Sequence, residues 1–215
     1  MLVEDIMKRD VVTVEPADSI RLALLKVHQY RIRHLPVVSC GKLVGIISDR
    51  DVRDACPSII SESCQEDDKI LNTPVSSIMR KDVITIHPLD FVEEAALALA
   101  DHHIGCLPVV VDDELKGIIT ETDILQTLVE LMGVQYPSSH IEVEVDDRTG
   151  LLADVAAIFK EANCNVTSVL VLPGKHPGKK NLVFRVQSID PRHVIAKIEE
   201  AGYRIVWPRE SEGLV

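Results

Sequence analysis

Leu35-Pro36-Val37-Val38-Ser39-Cys40-Gly41-Lys42-Leu43-Val44-Gly45-Ile46-Ile47-Ser48-Asp49-Arg50-Asp51 is answered 72 positions later by Leu107-Pro108-Val109-Val110-Val111-Asp112-Asp113-Glu114-Leu115-Lys116-Gly117-Ile118-Ile119-Thr120-Glu121-Thr122-Asp123. The correspondence runs back without a gap to Ile6 and Ile78, and 19 of the 46 aligned pairs are identical. Chance would give about three, so one module is written twice. Met7/Met79, Asp10/Asp82, Thr13/Thr85 and Pro16/Pro88 show that turn and loop positions repeat along with the apolar ones.

Working outward, each copy begins with an extended segment (Val11–Val14, Val83–Ile86) stopped by Pro16 or Pro88, which lacks the donor a sheet ladder needs. A helix follows, its apolar stripe Ile20, Ala23, Leu24, Val27 or Val92, Ala95, Ala96, Leu99, with Ser19 as N-cap in the first copy. Two Val/Ile-rich strands, Leu35–Ser39 and Leu43–Ile47, form a hairpin through Cys40-Gly41, and Asp112-Asp113 takes that turn in the second copy. A second helix opens at Ser48-Asp49, mirrored at Thr120 with the stripe Ile124, Leu128, Leu131. Between the copies, 57–72 carries Glu62, Glu66, Asp67 and Asp68 and reads as a solvated connector with a helical turn.

Composition narrows the function. The apolar share of 46% supports real cores, while aromatics are only 3%, so Val, Ile, Leu and Ala must do the packing. A net charge of −11 repels a phosphate backbone, and nucleic acid is not expected as a partner. No long apolar run and no leader pattern is seen, so a soluble cytoplasmic protein without membrane contact is expected. The 5 cysteines show no Cys-x-x-Cys spacing and the 8 histidines are scattered, so neither a disulfide framework nor a metal site is expected.

The chemistry is concentrated in Ser48-Asp49-Arg50-Asp51 and Thr120-Glu121-Thr122-Asp123, each a hydroxyl and a carboxylate opening a helix. Such a pair can accept ribose hydroxyls beside a helix N-terminus that favours phosphate. The same spelling also describes a capping box, in which the hydroxyl caps the helix and the acid reaches back to free N–H groups.

Met-x-x-Asp-Val-h-Thr, h-x-x-Leu-Pro-Val-Val and Gly-h-h-[Ser/Thr]-x-x-Asp, in order and in duplicate, resemble a pair of CBS domains, a Bateman module, over about residues 1–132. The resemblance implies two copies packed about a pseudo-two-fold axis, with adenosine-type ligands (AMP, ADP, ATP or S-adenosylmethionine) in the clefts. It further implies that Asp51 and Asp123 hold ribose, that Ser48, Thr120 and Thr122 support ribose or phosphate, and that Val11, Val12, Val83 and Ile84 flank adenine. In such pairs each carboxylate works with the first strand of the other copy. Arg31, Arg33, His34, Arg50 and Arg53 are replaced by His103, Gly105, Cys106, Thr122 and Leu125 in the second copy, so two unequal sites are expected. The arginines of the first favour a di- or triphosphate.

After a linker at 135–139, the pattern changes to βαββαβ, a ferredoxin-like sandwich. Its elements are strand His140–Val145, helical stripe Leu151, Val155, Ile158, Phe159, strands Val166–Leu172 and Asn181–Gln187, helix Val194–Ala201 and strand Tyr203–Trp207. Asp146-Asp147-Arg148-Thr149-Gly150-Leu151-Leu152, with Asn163-Cys164-Asn165-Val166, resembles an ACT domain. That implies an amino-acid site at a domain interface, lined by Gly150 and Asn165, and pairing of two copies into a homodimer. Gly150 also serves as a backbone position only glycine tolerates, and Asn165 as a turn residue.

The expected fold is thus α/β (α+β): CBS domains at 1–72 (with the connector) and 73–134, an ACT domain at 140–208 and a tail at 209–215. The domain order resembles the acetoin-utilisation type. It implies a non-catalytic regulator, without a cofactor, that senses adenine nucleotides and signals to its own dimer or to a regulated partner protein of unknown identity, with acetoin catabolism as a candidate pathway. Two other readings stand beside it. One is a structural dimerisation protein with empty clefts; the other is a nucleotide hydrolase using His34, Asp51 and Cys106, although no known catalytic constellation or phosphate-gripping loop is present.

Overall fold

The computed structural model describes residues 1–55 and 69–209 of the 215 in the chain. Residues 56–68, which include 57–68 of the expected connector, and 210–215 of the expected tail lie outside the described residues. The chain divides into two compact units, Met1–Leu125 and Gln126–Val215.

In the first unit, the first copy supplies α1 (Val3–Ile6), α2 (Ile20–Tyr30), β1 (His34–Ser39), β2 (Lys42–Ser48) and α3 (Asp49–Ala55). After a 3-10 turn at Val75–Ser77, the second supplies α4 (Val92–His102), β3 (Cys106–Val111), β4 (Glu114–Thr120) and the first turn of α5 (Glu121–Leu131), which continues past the unit's last residue, Leu125. Ser19 caps α2 as expected, accepting from the Leu22 amide at 3.2 Å, and Ile20 and Ala23 are buried. The hairpins pair as read, Leu35 with Ile47 and Leu107 with Ile119. Their turns hold Cys40 and Gly41, or Asp112 and Asp113, at positive φ, the conformation that matches strand twist in two-residue loops. The four strands run β1-β2-β4-β3, with β2 and β4 paired at Lys42 and Glu114. The Val11–Val14 and Val83–Ile86 segments are not full strands. Each joins the sheet by a single parallel bridge, Val14 to Val37 and Ile86 to Val109.

The two copies exchange their leading segments. Val75, fully buried, and the partly buried Leu71, Ile78 and Met79 belong to the core of the first copy, with Ile20, Leu35, Val37 and Ile47. Val3, fully buried, and Met7 belong to the core of the second, with Leu99, Leu107, Val109 and Ile119. Burial of each valine is worth about 2 kcal/mol, so neither copy keeps its full core without the other's neighbouring chain. The exchange is fixed by backbone pairs: Lys8 with Ile118 (2.9 and 3.0 Å) and Arg80 with Ile46 (both 2.9 Å). Gly117 and Gly45 make this approach possible. A Cβ at 117 would lie 2.7 Å from the Met7 sulfur and 2.9 Å from the Lys8 carbonyl oxygen; one at 45 would lie 2.8 Å from the Met79 sulfur.

One expected stripe is corrected. On α5, Ile124 packs on the second core, but Leu128 and Leu131 are exposed and the buried position is Thr127. Spacing marks a shared helix face, yet it does not say which positions on that face are covered.

The second unit contains β5 (Ser139–Asp146), α6 (Leu151–Glu161), β6 (Val166–Pro173), β7 (Lys179–Val186), α7 (Arg192–Glu200) and β8 (Arg204–Trp207). Its antiparallel sheet runs β6-β7-β5-β8, the ferredoxin-like order. Ile141, Val143 and Val145 alternate inward from β5 and meet Leu151, Val155 and Phe159 of α6 and Val194 and Ile198 of α7. Phe159 and Phe184 stack with ring centroids 4.5 Å apart.

Candidate functional site

The duplicated hydroxyl and carboxylate form a capping box in both copies. The Asp51 Oδ2 accepts from the Ser48 amide (2.8 Å) and hydroxyl (2.6 Å), while Ser48 Oγ accepts from the Asp51 amide at 3.2 Å. Thr120 and Asp123 repeat this at 2.9, 2.6 and 3.3 Å. Capping therefore occupies one carboxylate oxygen. The other, Oδ1, faces the leading segment of the opposite copy: Asp51 Oδ1 lies 3.7 Å from Arg80 Nη2, and Asp123 Oδ1 lies 3.0 Å from Lys8 Nζ. The two readings of the motif are compatible, because they use different oxygens.

Around Asp51 the chain encloses a cleft of about 510 Å³. Of the expected residues it gathers Arg33, His34, Ser48, Arg50 and Asp51 from the first copy and Val83 and Ile84 from the second. A cleft of this size is within the range of small-molecule sites. Arg31 and Arg53 do not line it: Arg31 ends α2 in a left-handed conformation, and Arg53 turns back to Asp49 at 3.0 Å, one turn away on its own helix. Val11 and Val12 follow Lys8 as Val83 and Ile84 follow Arg80, and the Lys8–Ile118 bridge sets that segment against β4 as the Arg80–Ile46 bridge sets its counterpart against β2. Val12 also packs on the first core. Thr122 sits on the exposed first turn of α5, at the position Arg50 holds on α3.

Several lining groups were missed from sequence. Arg80, Asp82, His102, His103, Gly105 and Glu121 enter the first cleft from the second copy. The signals available were that positions 8 and 80 are both basic and that the resemblance implies each carboxylate works with the other copy's leading strand, just after these positions. At the cleft floor, Gly105 makes room for His34, since a Cβ there would come within 2.9 Å of the imidazole Cε1. Burial holds the His34 pKa below its usual value, reinforced by the Arg33 charge and opposed by Asp49, Glu121 and Asp51. Burial also pushes the Cys106 thiol up to about 12. His34, Asp51 and Cys106 thus share one cleft, but the thiol stays protonated near neutrality and is no activated nucleophile.

In the second unit, Gly150 and Asn165 are not brought into one pocket. Gly150 lines a cavity of about 500 Å³ with Asp147, Arg148, Leu152, Val171 and Lys180. Its φ of 86° is the left-handed region that favours glycine, with open space beside it. Asn165 instead donates its side-chain N–H to Gln187 Oε1 at 3.0 Å, while its carbonyl accepts from the Gln187 amide at 2.9 Å. No helix among the described residues is long and apolar enough to cross a membrane.

Comparison with known proteins follows these divisions. The CBS domain profile matches residues 3–58 and 75–130, and the ACT domain profile matches 139–202. A CBS domain-containing protein of Dictyostelium discoideum is 34% identical over 143 residues, which cover 65% of this chain and 99% of that protein. A crystal structure from Vibrio cholerae, provisionally assigned as an acetoin utilization protein (AcuB), is 34% identical with a TM-score of 0.54, over 63% of this chain and 95% of that one. The CBS domain pair of protein MJ0100, solved with 5′-methylthioadenosine and S-adenosyl-L-methionine, is 30% identical with a TM-score of 0.51, over 63% of this chain and 98% of that one. Several other curated relatives are longer proteins, of which the chain spans 23% to 46%.

Proposed function

Because the chain belongs to the CBS-domain family, as a CBS pair followed by an ACT domain, we propose that it is a non-catalytic regulator that binds adenine nucleotides between its two CBS copies. The observation that carries this reading is the carboxylate oxygen left over from each capping box, Oδ1 of Asp51 and of Asp123, presented where the opposite copy's leading segment crosses. A ribose diol would donate to that oxygen, with adenine against Val83 and Ile84 in the first cleft and Val11 and Val12 in the second. Ser48, Thr120 and Thr122 would support ribose or phosphate. Arg33, His34 and Arg50 favour a di- or triphosphate in the first cleft. The adenosine-type ligands of the MJ0100 pair support the ligand class, and the Vibrio cholerae relative supports regulation of acetoin catabolism as the setting.

Signalling would follow from differential affinity. A ligand touching both copies binds one relative arrangement of them better, and only that difference shifts the population. The ACT unit offers a route to a homodimer: β6 is an edge strand whose helix-side Val169 and Val171 are 40% and 49% exposed. Within that unit an amino acid would sit at the Gly150 cavity. Binding rather than turnover is favoured by a Cys106 thiol that burial holds protonated.

A thermal-unfolding screen of the full chain with AMP, ADP, ATP and S-adenosylmethionine tests this reading. Stabilisation at ligand concentrations of about 1 mM is expected, reduced stepwise in Asp51→Ala and Asp123→Ala. No stabilisation by any of the four would leave the clefts empty and favour a purely structural dimerisation protein. ATP turnover by the purified chain, lost in Asp51→Ala, would instead make it a hydrolase.

A further inference from the structure

We propose that Lys8 is a specificity-determining residue of the second cleft, making it favour phosphorylated nucleosides over uncharged ones; this rests on the nucleotide-binding reading above. Asp123 Oδ2 is engaged by Thr120, and Oδ1 is held by the Lys8 ammonium at 3.0 Å. The carboxylate is 10% exposed and the lysine 63%, so an enclosed acceptor is covered by a solvent-exposed cation. The lysine backbone has little freedom. It exchanges two hydrogen bonds with Ile118 and packs against Gly117, where any side chain would strike the Lys8 carbonyl and the Met7 sulfur.

A ribose hydroxyl reaching Asp123 Oδ1 must displace that ammonium. An uncharged nucleoside offers the displaced cation nothing, so the lost ion pair counts against binding. A phosphorylated nucleoside supplies a new anion within reach of a flexible four-carbon stem, which restores the pairing. The first cleft differs in kind. Arg80 stands 3.7 Å from Asp51, and Arg33 and Arg50 already supply positive charge beside it. Selection by displacement of the lysine is therefore sharpest in the second cleft.

The experiment is calorimetric titration of the full chain carrying Asp51→Asn, which silences the first cleft while keeping an oxygen to cap Ser48, with and without Lys8→Met. The probes are 5′-methylthioadenosine, which has no phosphate, and ADP. Loss of an exposed ion pair corresponds to a factor of up to about five. Lys8→Met is expected to tighten 5′-methylthioadenosine by about that factor and to weaken ADP, while Lys8→Arg keeps the original preference. An unchanged ratio of the two affinities, or equal weakening of both, overturns the inference and leaves Lys8 a structural contact. Failure of the unsubstituted chain to bind either probe overturns the nucleotide reading and this inference with it.

Discussion

The two capping-box sites, at Asp51 and at Asp123, share a scaffold and differ in what is placed on it. At both, a hydroxyl caps a helix, a carboxylate oxygen is left over, and a glycine admits the other copy's chain. In the first copy Arg33, His34 and Arg50 stand where the second copy has Gly105, Cys106 and Thr122, and Gly105 and Cys106 themselves line the first cleft. The substitutions are not independent, because Gly105 is what leaves room for His34. The lesson is that asymmetry between clefts is built from pairs of residues across the copies, so counting the charges of one copy misjudges both. Lys8 belongs by sequence to the arginine-bearing copy and by contact to the other.

The shared part of the comparison breaks hardest at the glycines. Gly117→Ala and Gly45→Ala should each destabilise the chain by about 2 kcal/mol or more, measured as a drop in urea midpoint, because the clashing partners include backbone or buried methionine. If one is tolerated and the other is not, the scaffolds are less alike than their geometry implies. Next come the carboxylates. Asp51→Ala and Asp123→Ala should each cost tenfold or more in affinity, about 1.5 kcal/mol, in their own cleft alone. Loss of the cap should also lower stability by about 1 kcal/mol. Equal effects of one substitution on both clefts would contradict two separate sites.

The unlike part is probed by Arg33→Ala and Arg50→Ala, each expected to weaken ATP about fivefold in the first cleft and to leave uncharged adenosine within about twofold. Equal loss for both ligands would assign the arginines to folding instead. The smallest effect concerns His34, whose folded pKa lies below the unfolded 6.5 because burial and Arg33 disfavour its charged form. In that window the unfolded chain binds the extra proton, so stability is complete above the unfolded value and declines as pH falls through it. His34→Gln should flatten the dependence of the thermal midpoint between about pH 7 and pH 5.5. A phosphate nearby favours the imidazolium, so ATP affinity should rise on acidification in the unsubstituted chain and not in the variant.

Much of this was legible in the chain. Ser19 as an N-cap, the turns at Cys40-Gly41 and Asp112-Asp113, and the strand over His140–Val145 stand in the structure as the sequence implies. Each depends on residues two to four apart, whose spacing encodes the contact. The stripe through Leu128 and Leu131 failed because periodicity shows which side chains share a face but not what covers it. Arg53 was misplaced for a related reason: its charge was visible, while the competing Asp49 one turn earlier was not weighed.

By itself the sequence determined that one module occurs twice, where its helices and hairpins begin, and that a serine or threonine stands three residues before an aspartate at both helix starts. Only the tertiary structure decided that Val3 completes the second core and Val75 the first, that Lys8 meets Asp123 while Arg80 faces Asp51, and that Gly105 yields its space to His34. The physical reason is the range of the interactions. A capping box closes within one turn and is spelled in adjacent letters, whereas an ion pair between the two ends of the duplicated region exists only because each copy completes its core with the other's chain.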